Sequence, residues 1–304
     1  MKKDFLSISD LDGKELANLL EHARTLKKER KRGEIREDLK GKVLAMIFEK
    51  ASTRTRISFE VGMTELGGTP LFLNPRDMQL GRGEEIRDTA RVMSRYVAGV
   101  MIRANRHQTL EEFSQYASIP VINGLSDREH PCQILADLMT VQERFGHLAG
   151  RKIAWIGDGN NVCNSWILVA PLTGIDLCIA APGGYGPSDT FLDIARKQGG
   201  TIRVTESPKD AARGADVLYT DVWVSMGDEK DRASRVERLK DYSITEDLLK
   251  IASPQAIVMH CLPAHRGEEI TDEVLESSRS VVWDQAENRL HTQKALLLQL
   301  LGKK

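Results

Sequence analysis

Short β-rich apolar runs alternate along this chain with longer segments of helical character. That alternation is the mark of α/β domains built on mainly parallel sheets. The strand candidates fall into two sets. The first comprises Val43 to Phe48, Pro70 to Leu73, Ala98 to Ile102 and Pro120 to Ile122. The second comprises Lys152 to Ile156, Asp176 to Ala180, Thr201 to Val204, Val217 to Tyr219, Ala256 to Met259 and Ser280 to Trp283. Between the sets, Ile134, Leu135, Leu138 and Val141 recur at helical spacing across Pro131 to Phe145, with Gly146 as a stop. A chain of 304 residues also exceeds the usual single-domain range. We therefore expect one domain over residues 1–147 and another over 148–285. A leucine-rich helix over 286–304 is expected to pack back on the first domain, leaving a cleft between the two.

Composition excludes several classes of partner. Lys and Arg total 43 against 44 for Asp and Glu, a formal charge of -1, so neither nucleic acid nor an anionic membrane is favoured. The basic run Lys27, Lys28, Arg30, Lys31 and Arg32 is broken by acidic residues and reads as a solvated helix end. No apolar run approaches the roughly 18 to 20 residues of a membrane span, and the N-terminus lacks signal or transit character. A cytoplasmic protein is expected. Cys132, Cys163, Cys178 and Cys261 are widely spaced in a chain large enough to fold without staples, so free thiols are expected.

The polar clusters lie at predicted strand ends, where ligands collect in parallel α/β sheets. Ser52-Thr53-Arg54-Thr55-Arg56 follows the first strand and opens a helix, an arrangement suited to an anion: unpaired N–H groups, hydroxyls and a guanidinium converge there. Arg54 and Arg56 diverge by about 200° around a helix, so one faces the ligand and the other a structural carboxylate. Arg103, with Arg106 and His107 nearby, ends another strand. His130-Pro131-Cys132-Gln133 opens a helix, with proline suited to its first turn. Gly157-Asp158-Gly159-Asn160-Asn161 has the setting of a dinucleotide turn in a Rossmann-like second domain. However, Val162 replaces the third glycine and the next strand ends at Ala180-Ala181 without an acidic residue. Asn160 and Asn161 instead read as contacts for a small polar substrate, and no cofactor is expected. Asp221, with the loop through Ser225 and Met226, suits an ammonium group. His260-Cys261-Leu262-Pro263-Ala264-His265 lacks a paired Cys-x-x-Cys or His-x-x-x-His, so a polar or thiol contact is preferred to a metal site.

Together these segments closely resemble the aspartate/ornithine carbamoyltransferase family, in order and over nearly the whole chain. Asp221, Ser225, Met226 and the Asn160-Asn161 pair narrow the resemblance to its ornithine branch. The resemblance implies transfer of the carbamoyl group of carbamoyl phosphate to the side-chain amine of L-ornithine, giving L-citrulline and phosphate, in arginine biosynthesis or in degradation when reversed. It assigns Ser52, Thr53, Arg54, Thr55, Gln79, Arg103, His130, Gln133, Cys261, Leu262 and Arg289 to carbamoyl phosphate. Asn161, Asp221, Ser225 and Met226 are assigned to ornithine; Arg103, His130 and Cys261 are its catalytic set, with Arg56 left structural. Gln79 matches a loop that enters a neighbouring subunit's site, which implies a homotrimer or a multiple of one. An aspartate-specific enzyme would need cations where Asp221 lies, and a binding protein without turnover would not keep the whole set.

Overall fold

The computed structural model describes residues 4–79, 83–224 and 229–302. The chain divides into two compact units, Met1–Met139 with Glu287–Lys304, and Thr140–Ala286.

The first unit is built on β1 (Val43–Phe48), β2 (Thr69–Leu73), β3 (Gly99–Arg103) and β4 (Val121–Leu125), all parallel in the order β2-β1-β3-β4. The central strands are apolar up to Arg103 at the end of β3 because both faces are covered: Leu44 to Ile47 and Val100 to Ile102 are buried. The helices are α1 (Gly13–Lys31), α2 (Thr53–Glu65), α3 (Ile86–Tyr96), α4 (His107–Tyr116) and the first turns of α5 (Pro131–Phe145). Phe5 bridges to the outer side of β4, where its N–H donates to the Val121 carbonyl at 2.8 Å.

The second unit carries β5 (Lys152–Ile156), β6 (Asp176–Ala180), β7 (Thr201–Thr205), β8 (Val217–Thr220) and β9 (Ile257–His260). They run parallel in the order β7-β6-β5-β8-β9, a Rossmann-like half-turned sheet. It is flanked by α6 (Asn161–Thr173), α7 (Asp189–Lys197), α8 (Pro208–Ala212), α9 (Arg232–Leu239), α10 (Glu246–Ile251) and α11 (Asp272–Leu275). No helix among the described residues is long and apolar enough to cross a membrane.

Two expectations need correction. Ser280 to Trp283 is not a strand. It makes a single bridge, in which the Val258 N–H donates to the Arg279 carbonyl at 2.9 Å and the Val281 N–H to the Val258 carbonyl at 3.0 Å. The chain then winds directly into α12 (Val282–Leu301), so the β-branched pair Val281-Val282 is buried at a helix start. Lys27, read as part of a solvated end, is buried: its ammonium donates to Asn288 Oδ1 at 2.8 Å and lies 3.7 Å from Glu287. Asn288 and Glu287 supply the acceptors that a buried ammonium requires. Farther along α12, Lys294 pairs with Glu65 at 2.8 Å, and Gly62 of α2 gives that helix room, since a Cβ there would stand 3.3 Å from Lys294 Cγ. Leu290, Ala295, Leu296, Leu297 and Leu301 are the buried leucine-rich face of α12 in the first unit.

Candidate active site

In each sheet the strand order reverses at one pair of neighbours, β1 and β3 in the first unit and β5 and β8 in the second. Past the carboxyl ends of such a pair the crossing connections part and leave a crevice, where ligands of open α/β sheets bind. Four of the polar clusters found in the sequence stand at those two places, after β1, β3, β5 and β8, while the His130 and Cys261 clusters follow the next strands outward, β4 and β9.

In the first unit, Ser52 caps α2 from extended backbone, its Oγ accepting the Thr55 N–H at 3.2 Å. The other N–H groups of that turn remain at the positive end of the helix. Ser58, one turn on, donates from Oγ to the Arg54 carbonyl at 2.6 Å and fixes the turn from behind. Arg103, the buried last residue of β3, is tied to the β1 end through its carbonyl, which accepts the Glu49 N–H at 3.0 Å. His130 stands just before Pro131 and starts α5, its carbonyl accepting the Gln133 N–H at 3.0 Å.

Arg289 of α12 joins these pieces. One guanidinium nitrogen donates to Gln133 Oε1 at 2.7 Å and another to Thr55 Oγ1 at 3.1 Å, while Gln133 Nε2 donates to Asp137 at 2.7 Å. With its amide oxygen turned to Arg289, Gln293 accepts from Nε at 3.2 Å and from Nη2 at 2.9 Å, and its amide nitrogen donates to Ser58 Oγ at 2.5 Å. Arg289, Gln133 and Thr55 are all buried, so each bond is made away from water. Burial, then Arg289, Arg103 and Arg54, push His130 well below the usual histidine range. Its imidazole is therefore neutral at neutral pH, under the influence of three cations. Arg56 turns elsewhere, pairing with Glu60 at 2.9 Å and lying 3.7 Å over the Phe72 ring. A concavity of about 740 Å³ opens beside the cap, lined by Glu49, Ser52, Thr53, Arg56, Phe72 and Arg76 among others.

In the second unit, Gly157 holds φ +124°, and a Cβ on Gly159 would run into the backbone of Gly186 and Pro187. Both glycines shape the turn that delivers Asn160 to the N-cap of α6. Asn160 Oδ1 accepts from the Val162 and Cys163 N–H groups at 2.9 and 3.2 Å, and its Nδ2 donates to Asp221 Oδ2 at 2.6 Å. The other oxygen of Asp221 accepts the Cys261 thiol at 2.8 Å and the Val222 N–H at 2.8 Å. Thus Asn160, paired with Asn161 in the sequence reading as a substrate contact, is committed to the helix cap and the carboxylate. Asn161 begins α6 beside it.

Behind Cys261, His260 Nδ1 accepts the Leu262 N–H at 2.8 Å, which leaves Nε2 to donate to Glu269 at 3.1 Å. This anchors Leu262 at φ +60°, an unusual conformation for a branched residue. Gln79 is exposed and contributes a carbonyl to the Glu84 N–H. His107, singled out with Arg103, instead opens α4 and bonds Ser126 at 2.9 Å. Ser225 and Met226 lie outside the described residues. Gln293, Ser58 and Asp137 escaped the sequence reading because nothing in a helix interior distinguishes them from ordinary polar positions.

Residues 3–143 match the aspartate/ornithine carbamoyltransferase carbamoyl-P binding domain, and residues 149–300 match the Asp/Orn binding domain of the same family. The chain belongs to the aspartate/ornithine carbamoyltransferase family. Within that family, an ornithine carbamoyltransferase from Methanoculleus marisnigri is 64% identical over 99% of this chain and 98% of its own length. Another, from Methanospirillum hungatei, is 60% identical over 99% of this chain and all of its own. Among solved carbamoyltransferase structures, that of Pyrococcus furiosus ornithine carbamoyltransferase aligns with a TM-score of 0.95 at 48% identity, covering 99% of this chain and 98% of that one. The Thermus thermophilus enzyme aligns at 0.91 and 47%, covering 99% of both.

Proposed function

We propose that this chain transfers the carbamoyl group of carbamoyl phosphate to the side-chain amine of L-ornithine, giving L-citrulline and phosphate. The carrying observation is the buried clamp of Arg289 on Thr55 and Gln133 at the starts of α2 and α5, with the charges of Arg289, Arg103 and Arg54 all acting on a buried, neutral His130. Such a cluster of cations and hydrogen-bond donors suits a substrate that brings phosphate and builds further negative charge during reaction. The amine lone pair attacks the carbonyl carbon, the tetrahedral oxyanion forms, and phosphate then departs with the electrons of the C–O bond as the nitrogen sheds a proton. Preorganised donors stabilise the oxyanion without reorganising as its charge develops.

In this reading Ser52, Thr53, Arg54 and Thr55 hold the phosphate at the start of α2. Arg103 bridges phosphate and carbonyl oxygen, His130 and Thr55 contact that oxygen, and Gln133 takes the carbamoyl amine, with Leu262 and Arg289 completing the set. Asn161 and Met226 hold the ornithine α-carboxylate, Asp221 and Ser225 its α-amino group, and Cys261 lies toward the attacking amine. The first unit carries carbamoyl phosphate and the second ornithine. A homotrimer in which the exposed Gln79 serves a neighbour's site belongs to the same reading and rests on the family resemblance of that loop. The setting is the cytoplasm.

The test is a product assay with carbamoyl phosphate and, separately, ornithine, putrescine, aspartate and an N-acylated ornithine. Ornithine should be the strongly preferred acceptor, and Arg54→Ala should abolish turnover while leaving the circular dichroism spectrum unchanged. Near-normal transfer by that variant, or preference for another acceptor, would overturn the assignment.

A further inference from the structure

Beyond the site above, a second group of potential ligands lies in the loop after β9. His265, Glu268 and Glu269 bring one ring nitrogen and two carboxylate oxygens within 4.8 Å of one another. Three buried atoms there, His265 Nδ1, Glu268 Oε2 and Glu269 Oε2, have no hydrogen-bond partner among the described residues. Buried polar atoms are nearly always satisfied, so three together in one place point to a shared ligand. The Glu269 side chain is 0% exposed, and its Oε2 lies 3.8 Å from His265 Nδ1.

The surroundings hold the donors in place. Glu269 Oε1 accepts from His260 Nε2 at 3.1 Å and from the His265 N–H at 2.6 Å, which turns Oε2 toward the histidine. Glu268 Oε1 pairs with Arg232, leaving the buried Oε2 available to a ligand. Gly267, at φ +85°, makes the tight turn that puts Glu268 and Glu269 back over His265, and the Glu268 N–H closes it onto the His265 carbonyl at 3.0 Å. Such outer contacts orient metal-binding side chains. The His265 side chain is 40% exposed, which gives access from solvent.

We propose that His265 Nδ1, Glu268 Oε2 and Glu269 Oε2 form a binding site for a divalent transition-metal cation of the zinc class. One imidazole and two carboxylates suit a borderline ion better than magnesium or calcium, which take oxygen ligands alone. Bonds of about 2.1 Å in a tetrahedron set ligands about 3.4 Å apart, so the 3.8 Å between His265 Nδ1 and Glu269 Oε2 closes with a shift of a few tenths of an ångström, and Glu268, within 4.8 Å of both, closes by a rotamer adjustment of at most about 1.4 Å. Three protein ligands leave the fourth position to water. The neighbouring group Asp221, His260 and Cys261 is a poorer holder, because both His260 nitrogens and the Cys261 thiol are already engaged in hydrogen bonds.

The test uses the full chain freed of metal with a chelator, titrated with Zn²⁺ by calorimetry and with Co²⁺ by absorption spectroscopy. The wild type and Cys261→Ser should each bind one equivalent, and Co²⁺ should show d–d bands without a thiolate charge-transfer band. His265→Ala and Glu268→Gln should each lower the affinity at least tenfold while the far-ultraviolet circular dichroism stays that of the wild type. Glu268→Gln keeps the Arg232 contact, so it reports on the ligand even if His265→Ala perturbs the loop. No stoichiometric binding by the wild type, unchanged affinity in both variants, or loss of binding in Cys261→Ser with a thiolate band would each overturn the proposal.

Discussion

Replacing Glu129 with glutamine should make the protein more stable at pH 8 and leave it unchanged at acid pH. Glu129 stands immediately before His130, is 3% exposed, and accepts the Ile8 N–H at 3.1 Å through Oε2. Burial pushes its carboxyl up to about 7, aided by Asp10; the Ser7 and Ile8 hydrogen bonds and Arg128 oppose the rise. The folded protein therefore keeps a proton that the unfolded chain releases above the ordinary value of 4.5. Because the folded value is raised, the associated stability is fully present below about 4.5 and is lost as pH climbs through about 7. That interval corresponds to about 3 kcal/mol, with little further change at higher pH. Glutamine offers Ile8 the same carbonyl acceptor and never ionises. Urea unfolding of the two proteins side by side from pH 4.5 to 8.5 should give stability curves that coincide at the acid end and separate by about 3 kcal/mol at the alkaline end. A difference that does not vary with pH, or a variant less stable at pH 8, would refute the reasoning.

Asn160→Ala should cost about 3 kcal/mol, of which the helix cap is about 1 and the bond to the buried Asp221 carboxylate the rest. Asn160→Ser should recover the cap share only; equal losses in the two variants, read by hydrogen exchange at Val162 and Cys163, would contradict this. Arg289→Lys cannot span Gln133 and Thr55 together, and turnover should fall on the order of 100-fold, equivalent to about 3 kcal/mol of lost transition-state stabilisation. Steady-state kinetics within a factor of three of the wild type would count against the clamp. Asp221→Asn should raise the KM for ornithine with carbamoyl phosphate binding retained, and loss of carbamoyl phosphate binding alone would be the contrary result. Among the free cysteines, Cys132, Cys163 and Cys178 are buried and burial pushes the Cys132 thiol up to about 12. Brief alkylation of the native protein, mapped by mass spectrometry, should therefore mark Cys261 first; prior labelling of Cys132 would show that the first unit opens readily.

The sequence alone was enough to place most strands, because a strand covered on both faces must be a short continuous apolar run, as Val43 to Phe48 and Ile153 to Ile156 are. It also marked the strand-end clusters, since helix starts such as Ser52-Thr53 and His130-Pro131 carry local chemistry. Ser280 to Trp283 misled because a β-branched run at the edge of β9 has the composition of a strand, while one bridge and an early helix start decide its form. The resemblance picked out Asn161 from the pair, but only the tertiary structure gave Asn160 its own task, held by the α6 cap and Asp221. It alone joined Arg289 to Gln133 and to Thr55, which lie 156 and 234 positions away. The physical reason is range. Periodicity and capping act over one or two turns and are written into neighbouring residues, whereas the meeting of distant side chains is set by strand order and helix packing, which no local spacing encodes.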